Sequence, residues 1–255
     1  MSLPPTRRLY LDDPFTTAFT AKVVATGTRE GRAFVELEAT HFYPEAGGQL
    51  PDRGRLGGRA VVDVQEDGER VLHFLDGPEA GLAPGTAVAA EIDRATRLDH
   101  MQQHTGQHML SAALLELFRI PTLSFHMGAE GSTIDLDAAE LTAAQLEAVE
   151  DRVNLLIQED RPVQVLYPDE AGLAALKLRK EPAVTGRLRV IEVEGFDHSA
   201  CGGTHCTRTG QLGVLHLAHW ERVRQKARLH FLVGMRAVRD HRIQNGRLAA
   251  LSAML

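Results

Sequence analysis

The sequence predicts an α+β fold: a small N-terminal β-barrel or sandwich, then a two-layer α/β domain with an antiparallel sheet, closed by a C-terminal helix. Three observations predict it. Short β-branched or apolar segments separated by glycine-rich turns fill residues 1–93. Helix-period apolar patterns occupy residues 96–118 and 142–159. Strand-like segments then return, and a helical stretch runs to residue 255.

Within the first region the strand segments are Lys22–Ala25, Arg32–Glu38, Arg59–Gln65 and Arg70–Phe74. Gly27, Gly31, Gly47-Gly48, Gly54, Gly57-Gly58 and Gly68 punctuate them, a rhythm that suits a barrel or sandwich. Pro84-Gly85 and the polar stretch to Asp93 mark the boundary with the second region, residues 94–234. There Leu98, Met101, Leu110, Leu114 and Leu117 recur at helical intervals, and Pro121 ends the helix. Thr142 and Gln145 form a capping box, followed by a Leu146, Val149, Val153, Leu156 stripe. The later strands are Val163–Tyr167, Leu188–Val193, Leu212–His219 and Ala227–Val233. The last alternates cleanly, with Ala227, Leu229, Phe231 and Val233 on one side. The terminal helix, 235–255, reaches the end of the sequence without a capping residue, as a helix opening a longer region would.

Composition narrows the functional classes. Apolar residues make up 44% and charged residues 24%, the balance of an ordinary globular chain. No apolar run approaches the roughly 20 residues that span a bilayer, and MSLPPTRRLYLDDP lacks a signal core, so the expected location is cytoplasmic. Residues 160–255 hold 15 Lys/Arg against 9 Asp/Glu, whereas residues 1–159 hold 13 against 25. The acidic part argues against coating nucleic acid non-specifically; the basic part permits a localised polyanion site.

His100, His104 and His108 stand at i, i+4 and i+8 on one predicted helix. Imidazoles four residues apart lie about 5–6 Å apart at Cβ and can share an ion. The outer pair is about 12 Å apart along the axis, so one ion takes only two. Cys201-Gly-Gly-Thr-His205 offers the remaining donors, with glycines expected to let a Cys and a His fold toward one point. Together they make a His₃Cys set suited to Zn²⁺. The HExxH protease motif is absent, because Thr105 follows His104. Cys201 and Cys206, the only cysteines, read as metal ligand or thiol rather than as a disulfide.

These segments resemble the editing domain of alanyl-tRNA synthetases and the free-standing AlaX-type proteins, over nearly the whole chain. The helix motif stands here as Arg97-Leu-Asp-His-Met-Gln-Gln-His-Thr-Gly-Gln-His-Met-Leu110. The second motif is Cys201-Gly-Gly-Thr-His205, followed by Thr209-Gly210 and Gly213. The Gly-rich element of the family's N-terminal barrel is Phe42-Tyr-Pro-Glu-Ala-Gly-Gly-Gln49, then Asp52 and Gly54. Glu45, Gly47, Gly48 and Gln49 are its core; Ala46 and Leu50 depart from the family's usual glycine and proline.

The resemblance implies one Zn²⁺ on His104, His108, Cys201 and His205, with His100 outside the ligand set and Cys206 a small buried side chain. It implies hydrolysis in trans of tRNA(Ala) mischarged with serine, and of the glycine ester, without ATP. Thr105, Gln107 and Ser124, with His126 nearby, are expected to position the substrate. Lys177, Arg179, Lys180, Arg222, Arg224, Lys226 and Arg228 are expected to meet phosphates. The competing readings are a threonyl-type editing module and a non-catalytic zinc-stabilised tRNA-binding module.

Overall fold

The computed structural model describes residues 4–78, 81–180 and 188–254, which form two compact units. Unit 1 holds the chain to His100 together with Gly202–Thr204; unit 2 holds Met101–Cys201 and His205 onward.

Unit 1 is built of short strands. β1 (Arg7–Arg8) pairs in parallel with β4 (Ala39–Thr40). The other six are β2 (Ala18–Arg29), β3 (Arg32–Leu37), β5 (Gly54–Leu56), β6 (Arg59–Asp67), β7 (Arg70–Leu75) and β8 (Ala87–Ile92). They pair antiparallel in the order β2-β3-β7-β6-β5-β8, and β8 pairs back onto β2, closing the ring. Alternation explains the interior: Val23, Val35, Leu37, Leu56, Val61, Val64, Val71, Val88 and Ile92 point inward and are almost wholly buried. β8 lies in the stretch read from sequence as a polar boundary. Its Val88, Ala90 and Ile92 are buried between exposed Ala87, Ala89 and Glu91, a pattern that alanines hide.

Two devices fix the loops of unit 1. Gly47 and Gly48 both take left-handed φ, +58° and +84°, at the centre of a turn in which Ala46 and Gln49 exchange backbone hydrogen bonds. Arg97, 1% exposed, directs its guanidinium onto the Asp52 carboxylate and onto the carbonyls of Pro14 and His41. The same carboxylate accepts the Tyr43 N–H at 2.6 Å, so this buried charge pair is hydrogen-bonded on both sides.

Helix α1 (Arg94–Phe118) supplies the helix motif. Arg119 at φ +58° ends it two residues before Pro121. Met101, Leu110 and Leu114 enter the core of unit 2, but Leu98 and Leu117 are 37% and 41% exposed, outside the expected stripe. Next come β9 (Thr122–Met127), β10 (Ser132–Leu136), α2 (Ala143–Gln158) and β11 (Val163–Leu166). They are followed by α3 (Glu170–Ala175), β12 (Val190–Val193), β13 (Asp197–Ala200), β14 (Leu215–Val223), β15 (Lys226–Val233) and α4 (Met235–Ser252). The capping box at Thr142 and Gln145 is formed.

Unit 2 has two antiparallel sheets rather than the single one expected: β14-β15-β10-β9 and β11-β12-β13. The hairpin β9–β10 falls where no element is expected from sequence, because its apolar residues are sparse: Phe125, Met127, Ile134 and Leu136 inside, and Leu123 exposed. Ala227, Leu229, Phe231 and Val233 are fully buried on one face of β15. Gly106 lets α1 approach that strand: a Cβ there would meet Val233 Cγ2 at 2.6 Å. Gln103 clamps the same strand, donating to the Val233 carbonyl and accepting its N–H. No helix among the described residues is long and apolar enough to cross a membrane.

Candidate metal centre

Four side chains of unit 2 converge. His104 and His108 project from one face of α1, Cys201 follows β13, and His205 lies four residues further on. Each offers one ligand atom, and these atoms lie within 4.8 Å of one another. Cys201 Sγ is 3.5 Å from His104 Nε2 and 3.4 Å from His205 Nε2. Ring centroids of the three histidines are 4.4–5.1 Å apart. His100 stands outside the group, as the one-turn spacing requires. Both cysteines are free, and Cys206 is buried.

The surroundings favour neutral donors. Burial pushes His104 down to about 3, with the Arg189 and Arg179 charges adding to the shift. His108 and His205 are also held well below the usual imidazole range, chiefly by burial. Neutral imidazole is the form with a lone pair to give a metal. Burial drives the Cys206 thiol up to about 12, so it stays protonated and is no competitor as a ligand.

Residues absent from the motif reading support the cluster. Asp197 and Ser199 face the same way on β13, four and two residues before Cys201. Asp197 Oδ2 is 3.9 Å from His108 Nδ1, and its other oxygen is 3.3 Å from Arg179 Nε. Ser199 Oγ donates to Asp197 and accepts from Arg179, whose Nη1 also donates to the His108 carbonyl. Burial raises the Asp197 carboxyl, with Arg179 opposing the shift. Arg189 donates to the Cys201 carbonyl at 2.6 Å. Phe125 stacks on His104 at 5.5 Å. The period-two spacing of Asp197, Ser199 and Cys201 is the signal that could have found this support.

Other expected site residues are placed differently. Thr105 is fully buried and engaged with His205 and Cys206. Gln107 donates to Ser111 Oγ. Ser124 donates to Asp135 on the sheet face opposite Phe125, and His126 shares that outer face, so the structure does not bring either to the cluster. Arg179 packs beneath His108, while Lys177 and Lys180 are exposed. Arg222, Lys226 and Arg228 pair with Glu140, Asp137 and Asp135, and Arg224 occupies the β14–β15 turn at φ +46°. Glu45, Gly47, Gly48 and Gln49 lie in the unit 1 loop already described, Gln49 fully buried. Neither Gly202 nor Gly203 takes a left-handed φ, and a Cβ on Gly202 would meet nothing within 4 Å. At Gly202, then, neither backbone angle nor space calls for glycine.

A strand ring in one unit and a buried His₃Cys cluster in the other define a protein with a built metal-type site. The family described as the threonyl and alanyl tRNA synthetase second additional domain matches residues 188–228. The alanyl-tRNA editing protein Aarsd1 of Mus musculus is 36% identical over 225 residues, 87% of this chain and 54% of that protein. Its Danio rerio counterpart is 34% identical over 209 residues, 80% and 50%. The alanine–tRNA ligase of Pyrococcus furiosus is 35% identical over 255 residues, 93% and 27%. The chain belongs to the alanyl-tRNA synthetase editing-domain family, with the AlaX-type editing proteins. It spans about half the length of the editing proteins it matches.

Proposed function

We propose that this protein is an aminoacyl-tRNA hydrolase acting in trans and in the cytoplasm on tRNA(Ala) bearing serine, and secondarily glycine, at a single Zn²⁺. The observation that carries the reading is the four-donor cluster in a chain of this family. The donor set fits the ion. Tetrahedral Zn²⁺ with Zn–S about 2.3 Å and Zn–N about 2.0–2.1 Å separates S from N by roughly 3.5 Å. The two Cys201–histidine separations, 3.5 and 3.4 Å, match that value.

His104, His108, Cys201 and His205 would hold the ion, which when bound supplies Lewis-acid polarisation and a lowered pKa for an attached water. The chain's own residues do the rest. Arg179 and Arg189 place fixed positive charge around the cluster, where negative charge develops as an ester carbonyl is attacked. Asp197, held by Arg179 and Ser199, fixes the ligand face rather than serving as a free base. An aminoacyl ester is already activated, so positioning carries much of the work. A site that hydrogen-bonds the serine hydroxyl rejects alanine by leaving that partner unpaired. Phosphates of the acceptor end fall to the exposed basic side chains Lys177, Lys180, Arg222 and Arg224.

The test is incubation with Ser-, Gly- and Ala-tRNA(Ala), with and without a zinc chelator. Rapid loss of serine, retention of alanine and inhibition by the chelator are expected. Equal rates on serine and alanine would make it a general deacylase. Four protein donors also suit a structural ion; binding of tRNA without deacylation would select that reading.

A further inference from the structure

We propose that Thr105 is a positioning residue whose hydroxyl fixes which nitrogen of His205 faces the metal, an inference that rests on the metal reading above. His205 Nε2 points into the cluster, 3.4 Å from Cys201 Sγ, while Nδ1 lies 3.2 Å from Thr105 Oγ1. A neutral imidazole carries one N–H and one lone pair. For Nε2 to give its lone pair to an ion, the proton must sit on Nδ1 and must be accepted there. Thr105 Oγ1 is the acceptor in place.

The hydroxyl has a second partner. It also accepts the Cys206 backbone N–H at 3.0 Å, which uses its second lone pair. Thr105 is wholly buried and His205 is 3% exposed, so no bulk water stands ready to replace the acceptor. One side chain on α1 therefore orients His205 and holds the backbone immediately after it. Its neighbour His104 is itself a ligand, so the helix contributes a donor and the support of a second donor from adjacent positions. A hydroxyl that only filled space would need neither bond.

The experiment uses the whole protein and three readouts besides activity: zinc affinity by chelator competition, the Co²⁺ absorption spectrum, and the His205 tautomer by ¹⁵N NMR of the zinc-loaded form. Thr105→Val keeps the shape and removes the acceptor. It is expected to weaken zinc binding by roughly 10–100-fold, the range for lost support of a ligating histidine, and to shift the cobalt d–d bands. Thr105→Ser is expected to restore both. Wild-type affinity and an unchanged spectrum in the valine variant would overturn the proposal. The wild-type tautomer tests it without any variant, whatever the valine protein's folding. A proton on Nδ1 with the metal on Nε2 is expected, and the reverse overturns it. Failure of the wild type to bind Zn²⁺ or Co²⁺ stoichiometrically would instead defeat the metal reading, and this inference with it.

Discussion

Gln49 and Thr204 hold each other through both ends of the Gln49 amide: Nε2 donates to Thr204 Oγ1 at 2.8 Å, and Oε1 accepts the Thr204 N–H at 3.2 Å. The two residues are 155 positions apart and neither is exposed. Gln49→Ala strands a buried N–H and a buried hydroxyl, and each unsatisfied group costs about 1–3 kcal/mol. Denaturant titration is expected to show a loss in that range. An unchanged midpoint would mean that water enters and replaces the amide.

The two cysteines separate a ligand from a packed thiol. Cys201→Ala is expected to drop bound metal from about one ion per chain and to abolish deacylation in parallel. Cys206→Ala removes a small buried side chain and is expected to leave metal content near the wild-type value. Metal analysis of the two purified variants checks this, and a reversed outcome would sink the ligand assignment.

Acid should weaken unit 1 through His73. Its Nδ1–H donates to the Val35 carbonyl, so Nε2 carries the lone pair that accepts from the Thr40 hydroxyl, and that oxygen in turn accepts the Phe42 N–H. A second proton has nowhere to go, and burial pushes His73 down to about 4 from 6.5. Between those values the unfolded chain binds a proton that the folded chain refuses. The contribution is therefore complete above pH 6.5 and is lost as pH falls toward 4, levelling off below. Its full size is about 3 kcal/mol, of which roughly 2.5 is lost by pH 4.5. Denaturation of wild type and His73→Gln at pH 7.5 and 4.5 isolates it, because the wild type should lose that much more.

Phosphate contacts are tested by salt. Neutralising Arg222 and Arg224 together is expected to raise KM for charged tRNA and to flatten the salt dependence by about one counterion each. Metal content and kcat at saturation should hold, since uniform binding is lost. Normal tRNA binding across a range of salt would assign this hairpin to a solvated face.

The elements with strong periodicity were legible: α1, α2 with its capping box, and β15 all follow from spacing and caps. The four residues of the cluster were legible too, since i,i+4 histidines and a CxxxH segment name the side chains that converge. What escaped depends on partners distant in sequence or on weak side-chain signal. β9 carries Thr122, Ser124 and His126 on one side, and on the other Phe125 and Met127 beside an exposed Leu123. β5 has three residues, too few for any period. Arg97 and Asp52 stand in two separate motifs, and nothing in their spacing of 45 residues pairs them. Thr105 is expected from sequence to position substrate, but its hydroxyl faces His205, 100 residues later. Leu98 and Leu117 show the converse error, an apolar residue at a helical interval that faces outward.

His104 and Cys201 are 97 positions apart, and that separation has a consequence in time. At about 5–20 residues per second, synthesis delivers the two helix histidines some 5–20 s before the cysteine exists. Two imidazoles without a thiolate make a weak and unselective site. A metal ion bound as proposed is therefore captured only after β13 is made, and the helix must wait with its donors uncommitted until then. Refolding in vitro should carry the same signature: a final step whose rate depends on free metal, after the helices have formed.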